Sequence, residues 1–104
     1  MPSYLCKLEH KGQAYYLEWS TIVDAPTTYG MSLEKLRKFV EEERGRYGIE
    51  ELEKRLKRVE QKGTSAHDNY ITVDFLIAGN RAGEGNRKLS KKDIIEKYCL
   101  NRPK

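Results

Sequence analysis

Residues 3–20 constrain this chain more than any other stretch. With a two-residue turn at Lys11-Gly12, Leu8 falls opposite Tyr15, Cys6 opposite Leu17 and Tyr4 opposite Trp19. All six are apolar or aromatic and share one face of a β-hairpin. The other face pairs Glu9 with Ala14, Lys7 with Tyr16 and Leu5 with Glu18. A period of two on both strands, in a register fixed by the turn, is a strong signal, because a one-residue slip would exchange the two faces. The first face needs a cover. The second carries Lys7, Glu9, Tyr16 and Glu18, and is polar enough to stay wet. Cys6 reads as a small core residue. Trp19, the only tryptophan, reads as core rather than as a stacking platform for a ligand.

Beyond the hairpin, the second strand can run on through Thr21-Ile22-Val23 until Asp24-Ala25-Pro26 ends it, since proline cannot donate to a ladder. Thr27-Thr28-Tyr29-Gly30 continues as a loop. Two readings stand for it: a surface loop whose hydroxyls and Tyr29 meet a partner, or a connector with Tyr29 packed beneath it. Ser32 is a good N-cap for a helix reaching about Arg44, with Met31 and Leu36 as a hydrophobic staple and Glu34 in the first turn. Its apolar stripe is Leu33, Leu36, Phe39 and Val40, and Gly45 suits the position after its end. After a short break at Arg46-Tyr47-Gly48, a second helix is expected over Ile49–Lys62, with Ile49, Leu52, Leu56 and Val59 as its stripe and Gly63 as its stop. Glu50–Lys54, Glu51–Arg55 and Glu53–Lys57 are i,i+4 pairs in the favoured order. Lys54, Arg55, Lys57 and Arg58 form a basic cluster, yet all but Arg58 have an acid one turn earlier, so a self-neutralised solvent face is the preferred reading over a nucleic-acid face. Two heptads are too few for a coiled coil. The stripes of both helices are expected to close over the Trp19 face.

Thr64–Asn69 is a polar loop that holds His67 beside Asp68. Tyr70–Ile77 alternates Ile71, Val73, Phe75 and Ile77 with Tyr70, Thr72, Asp74 and Leu76. Its β-branched content favours a third strand, although an apolar run this short also fits a buried helix. Gly79–Arg87 holds three glycines and two arginines. It matches neither the phosphate-loop nor the dinucleotide pattern, and a mobile turn is preferred to an anion cradle. Ser90 caps a final short helix with Asp93 at N3, a Leu89–Ile94 staple and a buried side of Ile94, Ile95, Tyr98 and Cys99. Asn101-Arg102-Pro103-Lys104 reads as a frayed tail. The expected architecture is therefore α+β in a single domain over 1–104. A small antiparallel sheet, made of the hairpin and Tyr70–Ile77, packs against three helices.

Several function classes lack their residues. No apolar run approaches the roughly 20 residues of a membrane span. Met-Pro-Ser-Tyr has neither the basic nor the apolar region of an export signal, so Cys6 and Cys99 are expected as reduced thiols in a cytoplasmic protein. The two Cys and two His show no ligand spacing, and neither a metal nor a cofactor is expected. No Gly-x-Ser-x-Gly element exists. An enzyme would need at least two of Glu18, Asp24, His67 and Asp74 to converge in one pocket, and nothing local brings them together, so the chain is not expected to be an enzyme. The charge is uneven: residues 79–104 carry a net +5 against +4 for the whole chain.

The phrases EWSTIVDAPTTYGMSLEKL, GTSAHDN, NRAG and IIEKYC resemble small phage-encoded proteins of unassigned function. The resemblance implies a cytoplasmic accessory protein borne by a phage or prophage, and it transfers no catalytic or binding residue. The leading functional reading is a non-enzymatic protein-binding module whose contact patch is Tyr16, Asp24, Thr28 and Tyr29, a loop with the aromatic content of interfaces. The alternative is weak nucleic-acid binding, with Arg81, Arg87, Lys88, Lys91 and Lys92 on phosphates.

Overall fold

The computed structural model describes residues 3–100 of the chain. The tail expected to fray, residues 101–104, lies outside them. Strands β1 (Ser3–His10) and β2 (Gln13–Ser20) form the hairpin in the expected register, with Tyr4 opposite Trp19, Cys6 opposite Leu17 and Leu8 opposite Tyr15. Lys11 and Gly12 both have positive φ, 51° and 78°, which is the two-residue turn whose twist matches that of the strands. The sheet's third strand is β3 (Ala25–Pro26), antiparallel to β2, with Trp19 opposite Pro26 and Ser20 opposite Ala25. Pro26 thus sits at a sheet edge, where its missing donor does no harm.

Both outer edges of the hairpin are occupied. On the β1 side, Lys7 N donates to Gly63 O and Ser65 N to Leu5 O, while Leu5 N donates to Ser65 Oγ. On the β2 side, Tyr16 exchanges two backbone bonds with Met31, Thr27 N donates to Glu18 O, and Glu18 N donates to Thr28 Oγ1. That occupation explains why Tyr70–Ile77 is not the third strand: no full-length edge is left for it to pair with. Instead Thr72 caps a helix, its hydroxyl accepting from Phe75 N, and α2 (Val73–Ala78) buries Leu76 and Ile77. Tyr70 and Phe75 pack edge to face at 5.3 Å on its exposed side.

Helix α1 (Leu33–Lys62) starts at Ser32, whose Oγ accepts from Lys35 N, and closes at Gly63 in the left-handed conformation. It is broken once, at Gly45, with φ 63° and ψ −153°. That region is open to glycine and to almost nothing else, so the break is one residue, and the second limb resumes at Arg46 rather than after Gly48. Arg37 is salt-bridged to Glu53. Sixteen residues of straight helix would hold these about 24 Å apart. The limbs therefore fold back on each other as a helical hairpin.

This helical hairpin covers the face of the sheet expected to stay wet. Leu5 and Tyr16 pack with Leu36, Val40, Leu52, Leu56 and Val59, while Leu33 and Phe39 of the expected stripe are exposed. The lone buried charge on that face, Glu18, is neutralised by Arg55, whose two Nη atoms donate to its carboxylate at 3.0 and 2.8 Å. The Trp19 face is covered from the C-terminal half instead. Cys6, Leu8, Leu17 and Trp19 pack with Ile71, Leu76, Ile77, Ile94, Ile95 and Cys99. Trp19 is 2% exposed. Helix α3 (Lys91–Ile95) begins at Ser90, whose Oγ accepts from Asp93 N, and runs into a wider π turn over Glu96–Leu100. The fold is α+β, with a three-stranded antiparallel sheet between two helical covers.

Candidate functional site

Tyr16 is 9% exposed and packs under α1, so it leaves the surface patch expected of it. Asp24, Thr28 and Tyr29 remain near one another along the chain, but in different roles. Thr28 is half-buried and spends its hydroxyl on Glu18 N. Tyr29 is exposed, with its ring 5.9 Å from that of Tyr98, and the next residue, Gly30, donates its N–H to Tyr98 O. Asp24 takes φ 54°, its carbonyl accepts from Arg81 N at 2.8 Å, and its carboxylate lies 3.7 Å from Arg81 Nε.

Asp24 closes the turn between β2 and β3. Ser20 Oγ accepts from Ile22 N and Val23 N at the start of the same turn. Held at both ends, the turn leaves Ile22 75% and Val23 53% exposed. Two adjacent β-branched aliphatics on a tight turn are the residues the sequence reading missed, because Thr21-Ile22-Val23 looked like an extension of β2. The available signal was Asp24-Ala25-Pro26, which is too short to return to the sheet unless the chain reverses before it.

The basic residues divide. Arg81 faces Asp24, and Lys91 Nζ lies 3.6 Å from Asp74. Arg87, Lys88 and Lys92 are exposed without an acidic partner among the described residues. Lys91 and Lys92 line a recess of about 480 Å³ with His10 and Lys11 of the hairpin turn, the acid Glu96, and the apolar Ile95 and Leu100. His10 and Lys11 join this group only through folding. The glycine-rich loop is tied down from within. It is folded around Asn80, whose Nδ2 donates to Ile77 O and Leu89 O and whose Oδ1 accepts from Ala82 N and Leu89 N.

The acids and His67 do not converge. Glu18 is consumed by Arg55, Asp24 lies at the β2–β3 turn, Asp74 lines a mixed-charge recess with Lys91, Lys62 and Glu60, and His67 lines a separate cleft. The Cys6 thiol is pushed far above its ordinary value, first by burial and then by the Glu18 carboxylate, so it stays protonated and unreactive. No group of three or more potential metal ligands is found among the described residues, and none of their helices is long and apolar enough to cross a membrane. Compared with known proteins, the chain matches no family model, no curated protein and no solved structure.

Proposed function

We propose that this protein is a non-enzymatic, cytoplasmic protein-binding module that meets its partner through the β2–β3 turn and the loop after it. The observation that carries this reading is the exposure of Ile22 and Val23 on a turn fixed by Ser20 and by Asp24 with Arg81. Apolar side chains held out on a rigid turn cost little further ordering on binding, which favours affinity. Tyr29 extends the surface with an aromatic residue of the kind that anchors interfaces. A phage or prophage accessory role is supported by the resemblance of four stretches of the sequence to small phage-encoded proteins. The immobilised protein tests the reading in host lysate. A protein captured by wild type should be lost to an Ile22→Ser/Val23→Ser variant with an unchanged melting curve, and should bind purified wild type directly. Equal capture by the two would refute the surface.

A second reading is polyanion binding, favoured by the meeting of His10 and Lys11 with Lys91 and Lys92 around one recess. Arg87 and Lys88 would add phosphate contacts. Retardation of nucleic acid that weakens steeply with salt is the expected behaviour, with Lys91→Gln/Lys92→Gln binding more weakly and with a shallower dependence on salt. No retardation at low salt would dismiss it.

A further inference from the structure

The end of the first limb of α1, its second limb, the start of β1 and the segment after Gly63 enclose a cleft of about 350 Å³. Arg44, Arg55, Arg58 and His67 line it, with Ser3, Tyr4 and Ser65. The three guanidinium groups are not equivalent. Arg55 is committed to Glu18 by its bidentate pair. Arg58 is oriented by one bond, from Nε to Ser65 O at 2.6 Å, and its two Nη groups have no partner among the described residues. The Arg44 guanidinium likewise has none among the described residues. The one acid on the wall, Glu51, lies 3.6 Å from Lys54 and so is already shared with a cation. The cleft thus holds more cationic than anionic side chains, and neither Arg44 nor the Nη groups of Arg58 are paired among the described residues, so an anion there would be favoured.

We propose that this cleft binds the phosphate group of a small phosphorylated molecule. A guanidinium presents paired donors that match phosphate oxygens. Arg58 is pre-oriented for this by its Nε bond, and Arg44 supplies the opposing charge from the end of the first limb. The volume lies at the lower end of the range for small-ligand sites, roughly 300–1,000 Å³, which suits a compact phosphate ester and not a folded macromolecule.

The test is a titration of the whole protein with pyrophosphate and with inorganic phosphate at low ionic strength, followed by calorimetry and by amide chemical shifts. One saturable site is expected, with shifts centred on residues 44, 55, 58 and 65–67. Arg58→Gln and Arg44→Gln should each weaken binding by about tenfold, the loss expected for a charge-assisted hydrogen bond. Arg44 is exposed and its guanidinium has no partner among the described residues, so its variant separates lost binding from lost folding. Lys57→Gln, which removes an equal charge from the same limb outside the cleft, should change affinity by about twofold or less. Ile22→Ser/Val23→Ser should bind pyrophosphate as wild type does, since neither side chain lines the cleft. Absence of saturation at roughly millimolar pyrophosphate, equal weakening by Lys57→Gln, or equally tight binding of succinate would overturn the proposal.

Discussion

The two faces of the hairpin are covered by different means. The Trp19 face is apolar throughout, and it is closed by short elements from the C-terminal half: α2, α3 and the π turn after it. The Leu5–Tyr16 face contains a carboxylate, and it is closed by one long helical hairpin that brings a guanidinium to meet that carboxylate. The first cover rests on shape and on the hydrophobic effect, which tolerates many partners. The second is built on an apolar cluster as well, but it must also seat one ion pair, Arg55 with Glu18, in a largely buried place. With both faces covered and Leu5, Lys7, Tyr16 and Glu18 bonded at the edges, only the end of the sheet near the hairpin turn keeps an open edge, and the proposed contacts fall on the turns and clefts around it.

Truncation of Trp19 should give the largest effect. Trp19→Ala is expected to lose about 3–5 kcal/mol of stability in urea unfolding, as large aromatic deletions from cores do; a midpoint like that of wild type would break the description of the first face. On the second face, Arg55→Met leaves Glu18 buried without its partner and should lose about 3 kcal/mol, whereas Glu18→Leu/Arg55→Met should come within about 1 kcal/mol of wild type. If the double variant is no better than the single, the loss in Arg55→Met does not come from leaving Glu18 buried without a partner. Asn80→Ala should lose about 2 kcal/mol, because Leu89 N and Ala82 N would be left without an acceptor beneath the C-terminal cover. Thermal melts at matched concentration would detect it.

The smallest effect is one of pH. The folded state holds the proton of Cys6 well above the thiol's ordinary 9.0, while the unfolded chain releases it there. Stability contributed by this group is whole below that value and falls as pH rises through it, by up to about 1.4 kcal/mol per unit. Cys6→Ala should therefore show a shallower alkaline loss than wild type between the two pH limits of an unfolding series. Parallel curves would mean that Cys6 is not sealed on the first face.

The hairpin, its register, the helix caps at Ser32 and Ser90 and the burial of Trp19 were legible because each follows from local spacing. Which cover meets which face was not. The period of Leu36, Val40, Leu52 and Leu56 says that a stripe is buried, not against what. Local ion-pair rules also misdirect here. Arg55 and Glu53 suit i,i+4 partners on their own helix, yet they pair with Glu18 and Arg37, which are distant in sequence. Tyr70–Ile77 has strand composition, but strands need an open edge, and those edges were filled by segments with no strand signal at all: Gly63–Ser65 and Met31. Of the contact surface, Tyr29 and the loop were readable. Tyr16 was misplaced with its face, and Ile22 and Val23 were hidden by their own β propensity.

Hydrogen exchange at four amides tests most directly the claim that the edges of the hairpin are capped away from its turn. Leu5 and Lys7 point out from β1, and Tyr16 and Glu18 from β2, and each donates to a segment outside the hairpin. If those segments cap the edges, all four amides exchange only through global unfolding, with the same free energy as the amides between β1 and β2. Exchange of Leu5 and Lys7, or of Tyr16 and Glu18, at the rate of a solvent-exposed strand would contradict it, and would return a sheet edge to the list of surfaces where a partner can bind.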